Sequence, residues 1–380
     1  MPWYNDLRPK DDPNKKKYAL TFAEFEDAGK FEDSDKLRTL ENLLKLRRQL
    51  REQLEIKKTD KNLLLASWNI KEFGHLQNRI PESHFYIAEI ISSFDLIAIQ
   101  EVKTGLRDFD ILMKLLGDNW DYLINDVTEG RSGNSERFAY VYDKRRVKFT
   151  GLAGEIGLWE ELFAPGEQVI QLERPPYLTG FQSGWKSFAL LNVHLQPGEG
   201  GDNKKVRKRE VRFLMKALAE KKKRKTLWTE NIVILGDFNL YKSDVDIVEI
   251  FEAEDFFESD LLERLVTNIA VTSQERFDRM FFKRNEYFAT PSKENGNKGG
   301  MIDIFKEVYR DPENDFKNYK KEMKEHKEKP QTLTDDAAFK KYFRDTWRKI
   351  QISDHCPIWI EIDIDSSDKF LEDKKKEFEN

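Results

Sequence analysis

NIVILGDFN, residues 231–239, is the stretch from which the rest of the chain can be read. Ile232, Val233, Ile234 and Leu235 form an unbroken apolar run, the pattern of a short strand buried on both faces. Gly236 lets the backbone turn just where Asp237 and Asn239 emerge. A rigid strand ending in an acid and an amide is a platform for polar chemistry. Taken alone, the same residues also suit a turn, because Asp and Asn commonly close strands.

Working outward, other segments repeat the design. NLLLASWNI (62–70) and DLIAIQEV (95–102) read as strands with an amphipathic helix over 80–93 between them, and a second helix follows near 107–116. RFAYVYD and RRVKFT (137–150) read as two strands joined at Asp143-Lys144, and SFALLNVHL (187–195) as another. After NIVILGDFN come a helical stretch (242–252), RFDRMFF (276–282), a Gly-rich turn before MIDIFKEVY, and a closing strand, CPIWIEIDI (356–364). Strands alternating with helices define a layered α/β domain.

The ends differ from this core. Residues 1–33 are polar, with Pro2, Pro9 and Pro13, and read as an irregular or loosely docked arm. From Ser34 to about Lys57, Leu37, Leu40, Leu44, Leu50 and Leu54 recur at roughly helical spacing. That helix either packs on the domain or pairs with a protein partner or a second copy of the chain. The boundaries read from composition are 1–60 for arm and helix, 61–366 for the α/β domain with a charged helical insertion at about 310–349, and 367–380 for a charged tail, expected to be frayed.

Charged residues make up 36% of the 380 positions, yet the net charge is only −5. Any attraction to nucleic acid therefore has to come from local patches. One such patch lies between Lys204 and Lys225, where twelve Lys or Arg residues alternate with apolar ones at helical spacing, either a solvated face or a track for phosphates. The single cysteine, Cys356, excludes an intramolecular disulfide and suits a reducing compartment. The polar start and the lack of any long apolar run predict a protein with no membrane segment, located in the cytoplasm.

Asn69, Glu101, His194, Asp237, Asn239, Asp278, Asp354 and His355 all lie inside or at the border of a short apolar segment. Carboxylates and amides on separate strands supply the oxygen ligands that hard divalent ions prefer. Two histidines and spare carboxylates supply acid and base near neutral pH. No zinc-spaced Cys/His cluster, GxxxxGK[ST] phosphate loop or Gly-x-Ser-x-Gly elbow is present. The inventory points to metal-assisted hydrolysis without a covalent intermediate, most naturally of a phosphoester.

In order along the chain, LLLASWNIKEFG, DLIAIQEVK, SERFAYVYD, LERPPYL, FALLNVHLQP, NIVILGDFN, RFDRMFF and ISDHCPIWIEI resemble the endonuclease/exonuclease/phosphatase superfamily, deoxyribonuclease I more than the abasic-site nucleases. The resemblance implies a four-layer αββα sandwich, two packed mixed β-sheets flanked by helices, with the active site where strand ends converge. It implies that Glu101 ligates Mg²⁺ or Mn²⁺, with Asn69 holding metal or phosphate and Asp354 joining the metal cluster. It makes His355, oriented by Asp278, the general base, and His194, supported by Glu136, the general acid. Asp237 and Asn239 would hold water and a phosphate oxygen, and Arg174, together with Arg137, would bind phosphate.

The chain departs from deoxyribonuclease I at Asn134, which stands where that family member has a tyrosine, and at Arg174-Pro175-Pro176, where the family has Arg-Glu-Pro. The reading is a divalent-metal phosphodiesterase, an endonuclease on DNA, with RNA as another possible nucleic acid. Two alternatives stay open: a phosphatase or phosphodiesterase on inositol phosphates, sphingomyelin or nucleotides, and a non-catalytic binding module.

Overall fold

The computed structural model describes residues 2–14, 21–22, 31–54, 59–74, 79–128, 135–227, 229–269, 274–283, 285, 287–310 and 314–379. Asn134 lies outside these residues. In chain order the first elements are α1 (Asp33–Leu54), β1 (Asn62–Phe73), α2 (Pro81–Ile91), β2 (Leu96–Lys103), α3 (Arg107–Leu116), β3 (Trp120–Ile124), β4 (Glu136–Asp143), β5 (Lys148–Glu155), β6 (Tyr177–Ser183) and β7 (Lys186–His194). Then come α4 (Gly201–Lys223), β8 (Ile232–Asp237), α5 (Val245–Glu252), β9 (Phe256–Glu258), β10 (Asp278–Lys283) and β11 (Gly299–Met301). The chain continues through α6 (Lys320–His326), α7 (Asp336–Tyr342), α8 (Arg348–Gln351), β12 (Ile358–Asp363) and α9 (Ser367–Glu379).

Two mixed six-stranded sheets, ordered β11-β12-β1-β2-β4-β3 and β5-β6-β7-β8-β10-β9, pack face to face. Strand alternation sorts the core into layers. Leu63 and Leu65 of β1, Tyr140 of β4, Leu190 of β7, Leu235 of β8 and Met280 of β10 fill the space between the sheets. Their neighbours on the opposite faces meet helices: Leu64, Trp68 and Ile97 lie under α1, α2 and α3, and Leu191, Val193 and Ile234 lie under α4 and α5. This is the four-layer sandwich expected from the motifs.

Several expectations are corrected. The helix over 80–93 is buried all round rather than amphipathic: Glu82, Ser83, His84 and Glu89 of α2 are all inside. The cause is a second cover layer, in which α1 supplies Arg38 to Glu82 at 2.8 Å and the segment after β11 supplies Tyr309, whose hydroxyl is 2.7 Å from Ser83 Oγ. Residues 314–349 of the charged stretch are largely helical, and they bury Phe316, Tyr319, Phe339, Phe343 and Trp347 in the same cluster.

The N-terminal arm is docked where it is described. Trp3 N donates to Leu115 O at 2.7 Å, Tyr4 hydrogen-bonds Glu89, and the buried Asp6 carboxylate accepts from the Thr21 and Phe22 amides at 2.9 Å each. The tail is helix α9 rather than frayed chain, with the Phe370 ring against Trp185 and Tyr287. Strands β3, β6, β9 and β11 were absent from the sequence reading.

A buried arginine ties this scaffold to the loop carrying His355. Arg79 binds Asp108 Oδ2 at 2.7 Å and donates to Lys71 O, Gln351 O and Ile352 O at 2.9–3.4 Å. Burial works against the Asp108 charge, but His84 and Arg79 hold its carboxyl well below the usual range. Arg79→Ala would leave that carboxylate buried without its main partner and is expected to cost about 3–5 kcal/mol. Urea denaturation reads this directly, and a loss below about 1 kcal/mol would remove the strut from the account.

Candidate active site

Strand parity assembles the site. Asn69, Glu136, His194, Asp237 and Asp278 share the alternation of the inter-sheet residues on their own strands, so they stand where the apolar sandwich core gives way to a polar end. Register aligns them further: on β8, Asp237 is paired with His194 of β7 on one side and with Asp278 of β10 on the other. Gly236 makes the row possible, since its φ is +141° and a Cβ there would lie 2.0 Å from Val193 O.

Glu101 breaks parity. In β2 the preceding residues of the same parity, Ile97 and Ile99, face the helices, and regular alternation would send Glu101 the same way. Register shifts between β2 and its neighbours, and a φ of +62° at Glu101, turn the carboxylate toward Asn69. Asn69 Nδ2 donates to Glu101 Oε1 at 2.8 Å and to Asp237 Oδ2 at 3.0 Å. One amide thus joins the two sheets.

Two histidine–carboxylate pairs flank Asp237. His194 Nδ1 lies 2.9 Å from Glu136 Oε2, and His355 Nδ1 lies 2.8 Å from Asp278 Oδ2. The outward Nε2 atoms approach the same Asp237 Oδ2, at 3.7 Å from His194 and 3.8 Å from His355. Burial lowers both imidazole pKa values, but the partners reverse this. For His194 the Glu136 hydrogen bond is the strongest opposing influence and the net direction is upward. For His355 the charges of Asp278 and Asp237 raise it well above 6.5.

Glu136 is a hub. Its carboxylate also takes Arg174 Nε at 3.0 Å and Lys103 Nζ at 3.3 Å. Burial opposes its charge, yet the His194 hydrogen bond and the charges of His194, Arg174 and Lys103 hold it at about 2 instead of 4.5. A carboxyl depressed on folding contributes stability that is fully present above its unfolded value and is lost as pH falls through its folded one. The stability of Glu136→Gln is therefore expected to fall less steeply than that of the unsubstituted chain between pH 4.5 and about 2. Parallel acid-unfolding curves would contradict this.

The remaining expected residues sit around this centre. Asn239, at φ +49°, donates its side-chain amide to Leu195 O at 3.1 Å, while its backbone amide binds Asp237 Oδ1 at 3.0 Å. Asp354 is held by Lys71 Nζ at 2.6 Å. Arg137 is half-buried at the rim and donates to Lys103 O and Thr104 O. The sequence reading missed Lys71 and Lys103. Lys103 carried a signal, being two residues beyond Glu101 on one strand. It also missed Ser353, which donates to Asn69 O at 2.6 Å and accepts from the His355 amide at 3.0 Å, so the loop carrying His355 is pinned to β1.

The donor set fits a divalent cation. Asn69 Oδ1 is buried with no hydrogen-bond partner, and the hydrogen bonds recorded to Glu101 come from neutral donors, Asn69 and the Glu72 amide. Among the described residues, Glu101, Glu136 and His194 also bring ligand atoms within 4.8 Å of one another, a group that could hold a metal.

The basic stretch of the sequence reading is α4, and much of its charge is committed elsewhere. Lys204 and Lys208 pair with Asp246, and the buried Arg207 pairs with Asp244. Lys222 pairs with Glu230, just before β8 begins. That is the end of the strand opposite Asp237, about 20 Å away at the usual rise per residue.

No family model matches the chain. The chain is 25% identical to Mus musculus deoxyribonuclease gamma over 188 residues, covering 47% of the chain and 55% of the relative. It is 26% identical to Rattus norvegicus deoxyribonuclease-1 over 212 residues, covering 53% and 64%. It thus spans about half the length of the curated relatives it matches. Among solved structures, the human nocturnin catalytic domain with bound sulfate matches with a TM-score of 0.50 at 11% identity, covering 81% of this chain and 96% of that one, a likeness of fold. These relatives and the shared fold support the likeness of the chain to the endonuclease/exonuclease/phosphatase superfamily, deoxyribonuclease I in particular. Among the described residues no helix is long and apolar enough to cross a membrane.

Proposed function

We propose that the protein is a Mg²⁺- or Mn²⁺-dependent phosphodiesterase that cleaves DNA internally, in a cytoplasmic setting suited to its single free cysteine. The observation that carries the reading is the convergence of two histidines, each backed by a carboxylate, on one oxygen of Asp237. The deoxyribonuclease relatives supply the choice of DNA.

Glu101 and Asn69 would hold the metal. Asp354 would join them in competition with Lys71, which holds its Oδ2. The bound cation would stabilise charge on the nonbridging phosphate oxygens and offset the negative potential of Glu101 and Asp237. Arg174, fixed by Glu136, presents its guanidinium to the phosphate, with Lys103 and Arg137 beside it. His355 Nε2 takes the proton of the attacking water, and Asp278 fixes its ring. His194 Nε2 gives a proton to the leaving oxygen, and Asp237 stands between the two rings to orient the water.

In the chain alone the electrostatic order runs against this division, since His355 is raised further than His194. The assignment of base and acid instead follows the resemblance to deoxyribonuclease I, and the activated-ester experiment described in the Discussion decides it. For the activity itself, supercoiled plasmid incubated with Mg²⁺ or Mn²⁺ is expected to be nicked and then linearised, and EDTA to stop it. Hydrolysis of small phosphomonoesters with no cleavage of any nucleic acid would overturn the reading.

A further inference from the structure

Helix α1 has two leucine faces, and the domain uses only one. Leu43, Leu46, Leu50 and Leu54 are buried in the cluster shared with α2. Leu37, Leu40 and Leu44 point away from it and are 59%, 39% and 66% exposed. They recur at intervals of three and four residues, so they form one continuous stripe over two turns. Scattered exposed leucines need no explanation, but a stripe on a 22-residue helix whose other face is already packed does.

The charges beside the stripe point to its occupant. Glu41 lies on its flank in the first half of the helix, and Arg48 and Arg51 follow in the second half; all three are exposed. Glu41 and Arg48 are seven residues apart, on the same side of the stripe. Arg47 is turned inward to Glu89 at 3.3 Å and does not belong to this surface. Glu52, also exposed, follows Arg51, but the charges nearest Leu44, Glu41 before it and Arg48 after it, complement themselves when one copy is turned end for end.

We infer that α1 is a homodimerisation surface, in which two copies pack their α1 helices antiparallel about a twofold axis at Leu44. In that register each Leu44 meets its counterpart. Leu40 and Leu37 lie under the aliphatic stems of Arg48 and Arg51 of the second copy, and each Glu41 reaches the second copy's Arg48. A two-helix contact is small beside the roughly 800 Å² per partner of standard interfaces, so the dimer belongs at the weak end, with half-association on the order of tens of micromolar. The surface is independent of the histidine–carboxylate site, and so is its test.

Sedimentation velocity of the full chain from about 1 to 200 µM is expected to show a monomer–dimer equilibrium. Leu44→Asp should weaken it at least tenfold without changing the thermal melt or plasmid cleavage. Glu41→Arg and Arg48→Glu should each weaken it, and the double exchange should restore it. Leu44→Cys should form a disulfide between copies under mild oxidation, because the native Cys356 is buried. A monomer throughout the range, or a dimer indifferent to Leu44→Asp, would overturn the inference. So would a double exchange no tighter than the single ones.

Discussion

His355→Ala is expected to lower kcat for plasmid cleavage by about 10³-fold, within the range that a positioned acid or base contributes. The geometry sets the size of the effect. His355 Nε2 stands 3.8 Å from Asp237 Oδ2, and Asp278 at 2.8 Å holds the ring so that this nitrogen faces the site. Removing the imidazole also strands Asp278 in a buried position, so some stability is lost too. His355→Asn, which can still hydrogen-bond Asp278, separates the two effects. It should recover the melt and leave cleavage near the alanine value. Recovery of cleavage by asparagine would mean that His355 only supports structure.

Glu101→Gln is expected to reduce cleavage by on the order of 10³-fold at fixed metal concentration and to demand more metal for half-activity. The substitution keeps the shape of the side chain and an oxygen to accept from Asn69, but it removes the charge and the oxygen that accepts from the Glu72 amide. Glu101 sits at φ +62° on a bulged strand, with its recorded hydrogen bonds coming from neutral donors. Such an arrangement keeps a carboxylate free of a strong internal partner and ready for a cation. Metal titration of activity and of intrinsic fluorescence should both shift. An unchanged titration would remove Glu101 from the metal site.

Much of the centre was legible in the sequence because a buried strand writes itself as a short apolar run, and a polar residue at its end stands out. Asp237, His194 and Asp278 could be found this way, and strand parity then sends them to one face. Glu101 was found as a residue but not as an orientation, since the bulge that turns it inward leaves no mark in the pattern. The burial of α2 was illegible for another reason. Its polar side chains are satisfied from far along the chain, Ser83 by Gln351 and Tyr309 and His84 by Asp108, so local periodicity cannot separate a solvent face from a covered one. On α1 both faces carry leucines at helical spacing, and only the position of α2 decides that Leu46 is inside and Leu44 outside.

The central claim is that the two histidines around Asp237 do opposite jobs on one phosphodiester. The most direct measurement compares His194→Ala and His355→Ala on DNA and on a thymidine phosphodiester whose leaving group is p-nitrophenolate, which departs without needing a proton. The account expects His194→Ala to lose about 10³-fold on DNA but less than about tenfold on the activated ester. His355→Ala should lose a comparable factor on both. Equal losses of the two variants on the activated ester would contradict it, and a rescue of His355→Ala alone would show that the acid and base had been assigned the wrong way round.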